Sequence, residues 1–289
     1  MKYQFMKDNS MIFPIKTMAR HFNVSQSSYY DWLKRTPSDR KLRDAEIIRE
    51  VTDIFNKHKK IFGSPRVYKE LNEKTFKCGK HKVSRIMRDN GLVARQKKRF
   101  KATTDSKHDY PISPNLLNRN FVVDVPDKVW VSDITYIWTE TGWMYLCIIL
   151  DLYSRMIVGY AMASHMRAEL VVDALKMAVL HRKPNKGLMF HSDRGVQYAS
   201  KEFRKYLKKN EFVQSMSRKG NCWDNACAES FFSSLKMEEA FHKKYITKET
   251  ARKSIFEYIM YYNMHRRHSF LDYLSPVKYE ELNQLEMAS

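Results

Sequence analysis

Asp133, Asp193 and Glu229 are the side chains of this 289-residue chain whose type and setting best suit chemistry. Asp133 lies inside the alternating run "KVWVSDITYIWT", where period-two spacing puts Val129, Val131, Asp133, Thr135 and Ile137 on one face of a strand. An ionised carboxylate among such neighbours is costly unless a cationic group or a metal answers it. Asp193 closes "LMFHSD", at the carboxyl end of a strand, where α/β proteins tend to place their sites. Glu229 projects from the first turns of a helix expected to begin near Asp224, with Asp224 as candidate N-cap and Ala226, Phe232 and Leu235 as apolar contacts. Each acid taken singly has an ordinary reading: a strand-end Asp satisfied by backbone donors, a turn Asp ahead of glycine, a solvated helix Glu. Taken together, three carboxylates suit hard Mg²⁺ or Mn²⁺, and two such ions about 3.5–4 Å apart serve phosphoryl transfer. One lowers the pKa of an attacking water or 3′-hydroxyl and the other stabilises the departing oxygen, so no protein nucleophile is needed.

The elements that must position these acids follow from the pattern after Pro126. Three β-branched and aromatic runs, "KVWVSDITYIWT", "WMYLCIILDLYS" and "RMIVGYAMAS", have meander spacing and precede a helix near Ala168 to His181. A strand "GLMFHSD", a helix "SKEFRKYLKKN", a strand "FVQSMS" and the Glu229 helix complete a mixed-sheet α/β layer fold, for which an RNase H-like core is the natural candidate. We assign this catalytic core, with its C-terminal helices, to residues 126–289.

Upstream, residues 1–43 contain "IKTMARHFNVSQSSYYDWLKR", two short helices about a tight turn, with Ala19, Phe22, Val24, Tyr30 and Leu33 at inward-facing spacing. Asn23 tolerates the left-handed turn conformation and Ser25 caps the second helix. Gln26, Ser27, Ser28 and Tyr29 then form the exposed start of a recognition helix, unless the segment is an ordinary helical hairpin. Residues 44–93 form a second helical region, broken by "GSP" at 63–65 and stopped at Gly91. Its last helix sets Val83, Ile86 and Met87 on an apolar face beside Lys80, Lys82, Arg85 and Arg88, a DNA-reading face or a solvated one. Residues 94–125 read as a basic linker, with Arg95, Lys97, Lys98 and Arg99 tracking phosphates and Pro111 and Pro114 breaking any periodicity.

Composition narrows the class. Fifty-two Lys and Arg against 32 Asp and Glu give +20, a field that attracts a polyanion. Residues 1–120 carry 28 basic and 12 acidic side chains (+16), leaving 24 and 20 (+4) for residues 121–289, so binding arm and chemical core separate by charge. Apolar runs such as 145–150 fall far short of the roughly 20 residues of a membrane span, and a cytoplasmic, nucleoid-associated protein is expected. Four scattered cysteines, with no C-x-x-C pair, point to reduced thiols rather than a disulfide framework or zinc ribbon.

Thirty-five residues separate Asp193 from Glu229, and Lys236 follows seven later. That spacing, with "VWVSDITYI", "ILDLYSRMIVGY", "FHSDRGVQYAS", "GNCWDNACAESFFSSLK" and "YNMHRRHSFLDYLSPVKYE", closely resembles the second-reading-frame product of bacterial insertion sequences of the IS-three family, a DDE transposase with a retroviral-type integrase core. "FGSPRVYKEL" and the helix-turn-helix extend the resemblance over nearly the whole chain. It implies an integrase core with a mixed five-stranded sheet and flanking helices, preceded by an all-α DNA-binding region. It implies that Asp133, Asp193 and Glu229 are the catalytic and metal-binding triad, with two Mg²⁺ or Mn²⁺ ions, and that Lys236 contacts the substrate strand. Cleavage at terminal inverted repeats, strand transfer, a homo-oligomer on paired DNA ends and an upstream-frame protein partner are further implications. Asp272 and Tyr160 depart from the pattern, standing where Gly and Trp are expected.

Other residues have plainer readings. Asp151 ends the second strand and shapes the hairpin before Arg155, and His191 is more a hydrogen-bonded structural residue than a substrate contact. Arg266 and Arg267 of "HRRH" hold phosphate or pack on the core, and Trp223 and Asn225 flank the helix start. A tyrosine recombinase would need a covalent Tyr with Arg and His activators, which the carboxylate constellation does not suit. An RNase H-like nuclease would cut without joining. A DNA-binding regulator descended from a silent transposase is the alternative from another class, and the intact triad and Lys236 argue against it.

Overall fold

The structure, a computed structural model, describes residues 1–74, 76–94, 110–219 and 221–288, without the side chains of residues 222 and 285–288. Three short helices come first: α1 (Lys2–Asp8), α2 (Ile15–His21) and α3 (Gln26–Lys34). Asn23 turns the chain at φ 50°, and the Ser25 hydroxyl accepts from the Ser28 amide at 3.0 Å, capping α3 as expected. The inward face differs from the expectation by one position. Tyr29 is buried at 2% exposure, whereas Tyr30 and Leu33 are open to solvent, so Tyr29 is no base reader. The reason is α1, which the sequence pattern did not reveal: its Met6 and Tyr3 pack with Tyr29 and Trp32 and select the face that turns in.

The second unit comprises α4 (Asp39–Lys57), α5 (Ser64–Glu73) and α6 (Lys80–Asp89) around Ile54, Phe62, Val67, Leu71 and Val83, all fully buried. Ser38 caps α4, Pro65 sits in the first turn of α5, and Gly91 at φ 65° stops α6. Helix α4 begins ahead of the Asp44 start drawn from sequence and runs through positions 43 and 44 without a break.

Strands β1 (Val129–Thr139), β2 (Gly142–Asp151), β3 (Ile157–Ala163), β4 (Met189–Ser192) and β5 (Val213–Met216) form one sheet ordered β3-β2-β1-β4-β5. The first three are antiparallel, β4 pairs parallel to β1 and β5 parallel to β4, as the helix-connected second half requires. Helices α7 (Ala168–Arg182), α8 (Val196–Ala199) and α9 (Lys201–Lys209) cover one face through Trp130, Ile149, Leu175, Phe190 and Phe203. Helices α10 (Ala226–Glu238) and α11 (Lys248–Met264) cover the other through Val131, Leu146, Phe231 and Ile255, and α12 (Pro276–Ala288) closes the chain. Strand alternation therefore puts Asp133 on the α10 face.

Residues 110–125 do not behave as the linker read from their polar, proline-containing sequence. Leu117 is buried in the α10-side core, and the amides of Leu116 and Leu117 both donate to Ser215 Oγ. Phe121 and Val123 pack against the same core, but three apolar anchors without strand or helix periodicity were too little signal to mark a packed segment. The second helical unit docks on α11: His58 Nδ1 lies 3.0 Å from the Tyr261 hydroxyl, and Arg267 pairs with Glu73 at 2.5 Å.

Candidate active site

Strand pairing brings the first two acids together. In the parallel ladder Val131 stands beside His191, and two further residues along each chain lie Asp133 and Asp193. Asp133 Oδ1 accepts from the Ile134 amide at 2.8 Å, and Asp193 Oδ1 accepts from the Gly195 amide at 2.9 Å, a local turn that fixes the carboxylate as β4 ends. Gly195 leaves room for that carboxylate. A Cβ on it would stand 3.0 Å from Asp193 Oδ1 and 2.9 Å from Gln197 Oε1.

Helix α10 brings the third acid. Asn225, immediately ahead of it, donates from Nδ2 to the Ser132 carbonyl at 3.0 Å, tying the helix start to the strand residue before Asp133. Glu229 lies one turn on, exposed, and Lys236 two turns beyond it on the same face, with Nζ 5.2 Å from the Tyr136 ring of β1.

The electrostatics record the convergence. Burial, then the Asp193 carboxylate, push the Asp133 carboxyl well above the usual carboxylate range; Glu229 adds to the push and Lys236 opposes it. Glu229 is raised by partial loss of water, and Lys236 is lowered by burial while Asp133 opposes that shift. Among the described residues no three His, Cys, Asp or Glu side chains stand close enough to hold an ion as they are. The donor chemistry nevertheless fits hard divalent cations: all three groups are carboxylates, and their mutual repulsion is what a bound cation relieves.

One neighbour acts otherwise than the sequence suggested. Asp224 is not the N-cap, a place Asn225 occupies without a side-chain cap bond. It is buried and accepts from Arg218 at 2.7 Å, Arg119 at 2.8 Å and Asn115 at 3.0 Å, and these partners, Arg218 foremost, hold it far below the usual range. The clamp fastens the segment leading into α10 to residues 115–119. No local pattern marks it, because Arg119 is 105 positions away. His191 is fully buried on Ser215 Oγ at 2.9 Å, and burial lowers it to about 4, as its structural reading required. Asp151 ends β2 and accepts from the Tyr153 and Asp127 amides. Trp223 is exposed beside the start of α10.

Among the described residues, the other candidate DNA contacts are on the helices of the N-terminal units. Gln26 and Ser27 are exposed on α3, and Arg85 and Arg88 are exposed on α6, Arg88 beside Asp89 at 3.3 Å. Lys82 is partly covered and pairs with Asp44 at 2.5 Å. Arg95, Lys97, Lys98 and Arg99 lie outside the described residues. No described helix is long and apolar enough to cross a membrane.

Comparison with known proteins gives a consistent assignment. Residues 124–222 and 210–276 each match an integrase core domain family, and residues 41–100 match an HTH-like domain. The insertion element IS600 uncharacterized 31 kDa protein of Shigella sonnei is 41% identical over 265 residues, 91% of this chain and 97% of its own. Transposase InsF for insertion sequence IS3A of Escherichia coli strain K12 is 38% identical over 286 residues, 98% and 99% of the two chains. Among solved structures, the HTLV-2 integrase catalytic core domain in complex with magnesium is 16% identical, covering 50% of this chain and 92% of that one, with a TM-score of 0.40.

Proposed function

Since the chain belongs to the IS3 family of insertion-sequence transposases, with an HTH-like domain ahead of an integrase core, we propose that it binds the terminal inverted repeats of its element and performs metal-dependent cleavage and strand transfer at Asp133, Asp193 and Glu229. The observation that supports this reading is that β1 and β4 run parallel into Asp133 and Asp193, that Asn225 ties the start of α10 to β1, and that Asp193 and Glu229 raise the buried Asp133 carboxyl while Lys236 lowers it. These acids hold two Mg²⁺ or Mn²⁺ ions. When bound, the pair supplies Lewis acidity to the attacking and leaving oxygens of an in-line phosphoryl displacement.

The chain's own groups do the rest. The Ile134 and Gly195 amides orient the two aspartates before substrate arrives. Lys236 takes a phosphate of the substrate strand and keeps that strand along α10. Exposed Gln26 and Ser27 on α3 and Lys82, Arg85 and Arg88 on α6 hold the DNA ends, with Arg95, Lys97, Lys98 and Arg99 following the backbone. The working form is a homo-oligomer on paired ends in the bacterial cytoplasm, at the nucleoid, joined by the upstream-frame protein of the element.

A strand-transfer assay with labelled DNA carrying the element's ends tests the reading, with Mg²⁺ or Mn²⁺ and with the upstream-frame protein present and absent. Joined products from wild type and a loss of roughly 10²–10³-fold or more in Glu229→Gln are expected. Equal products from both would remove Glu229 from the mechanism. Specific binding without product under every condition would favour the regulator reading.

A further inference from the structure

A cavity of about 400 Å³ lies at the seam between the second helical unit and the catalytic half, on the flank of α10 turned away from Glu229. Cys227, Ser230 and Ser234 line it, roughly 100–160° around the helix from Glu229 at 100° per residue. Three guanidinium groups meet there: Arg66 from α5, Arg155 from the β2–β3 turn and Arg266 after α11. Each lies over an aromatic ring, with Arg155 4.0 Å from Phe270, Arg266 5.5 Å from Tyr262 and Arg66 5.6 Å from Phe62. Stacking of this kind fixes the guanidinium plane. Arg266 directs most of its edge donors to Glu238, to Ser234 Oγ at 2.9 Å and toward His268, so the donors left for a partner are chiefly those of Arg66 and Arg155.

The charges do not balance. Glu238 answers Arg266 at 2.7 Å and lies 3.8 Å from Arg66, and it also accepts from the Tyr258 hydroxyl. Arg155 is only 8% exposed, and its hydrogen bonds go to Cys227 Sγ at 2.9 Å and the Phe121 carbonyl at 2.8 Å. Among the described residues no carboxylate pairs with it. Three cations thus face one anion in a cavity open to solvent on one side, where Arg155 and Arg266 are themselves buried, and a partly buried excess of positive charge is costly until an anion enters. Burial and then the three guanidinium groups hold His268, on the same wall, down to about 2, so it stays neutral and adds no charge.

We infer that this cavity binds a phosphate group, gripped by Arg66, Arg155 and Arg266 with the Ser230 and Ser234 hydroxyls, which bridges the second helical unit to the catalytic half. Forked, ring-stacked guanidiniums and hydroxyl donors suit a tetrahedral oxyanion. The phosphate comes either from the backbone of bound DNA or from solution. The DNA source rests on the function proposed above, whereas the solution source does not.

The full-length chain is melted in inorganic phosphate and in sodium chloride of equal ionic strength, without divalent ions. Phosphate at about ten times its Kd raises the wild-type melting temperature by roughly 2–5 °C over chloride. Ser230→Glu supplies a carboxylate to the cavity from an exposed position; it raises the melting temperature in chloride and removes the response to phosphate. Arg66→Gln, a milder change at the seam, weakens that response. Anisotropy with a short duplex over a salt series then separates the sources. If DNA fills the site, Ser230→Glu weakens binding and makes the log–log salt slope shallower by about one; if free phosphate fills it, duplex binding is unchanged. A wild type that melts alike in both salts, or a phosphate response kept by both variants, overturns the inference. Neither result depends on strand transfer, so the catalytic reading stands or falls separately.

Discussion

Among the acidic side chains, what answers the charge separates those that hold the fold from those that hold the chemistry. Glu70 belongs to the first kind. Burial pushes its carboxyl up, but hydrogen bonds from His58 at 2.7 Å and Lys57 at 2.9 Å outweigh that and bring it down to about 2. Because folding lowers this pKa, its stabilisation is present above the unfolded value near 4.5 and drains away as pH falls toward 2. Glu70→Gln is therefore expected to lower stability at pH 7 by roughly 1–3 kcal/mol and by much less near pH 2–3, measured by denaturant unfolding at both pH values. An equal loss at both would show that the ion pairs contribute nothing. Asp272 offers the opposite test. It adopts φ 49°, followed by Tyr273 at 64°, which accounts for the expectation of glycine there. Asp272→Gly should stabilise the protein by roughly 0.5–1 kcal/mol, read as a higher melting temperature. The three acids proposed to be catalytic stood out in the sequence because their spacing, with Lys236 seven residues on, resembles that of the IS3-family transposases. Gly195 and the Asp224 clamp did not, since a glycine tells nothing of the carboxylate beside it and a long-range pair leaves no local periodicity.

At the scale of elements, the active site depends on how closely helices approach the sheet. Helix α7 lies so near β3 that a Cβ at Gly159 would meet the Ala174 carbonyl oxygen at 2.5 Å and Ala178 Cβ at 2.7 Å. Gly159→Ala should destabilise the core by roughly 1–3 kcal/mol through overpacking, with a matching fall in melting temperature. An unchanged melting temperature would mean that α7 can shift outward freely. Strands were the most readable elements, because β1 and β2 alternate cleanly between two cores. Helix faces in the small N-terminal unit were less readable. A short helix gives few turns from which to judge its inward side, and the answer depended on α1, whose lone fully buried residue is Met6.

Over the whole molecule, charge and chemistry are distributed unequally. The +16 carried by residues 1–120 against +4 for the remainder predicts that duplex affinity falls steeply with salt. Anisotropy titrations between about 50 and 200 mM salt should show a loss of several orders of magnitude if six or more phosphates are held. Arg85→Gln should weaken binding alike on all sequences and reduce the slope by about one. A flat salt dependence would rule out the basic region as the binding arm. The order of units was readable from composition, but their seam was not: residues 110–125 are woven into the core, and Arg267 ties α5 to the chain after α11.

Chain order also sets an order in time. The helices of residues 2–89 leave the ribosome well before α10, which carries Glu229. At roughly 5–20 residues per second the interval is on the order of ten seconds. Throughout it, the nascent polypeptide has the basic helical units and lacks Glu229, so on the function proposed above DNA engagement would precede the capacity to cut. On that proposal, a message that ends early, anywhere between α6 and α10, is expected to yield a competitor of the full-length protein for the same DNA.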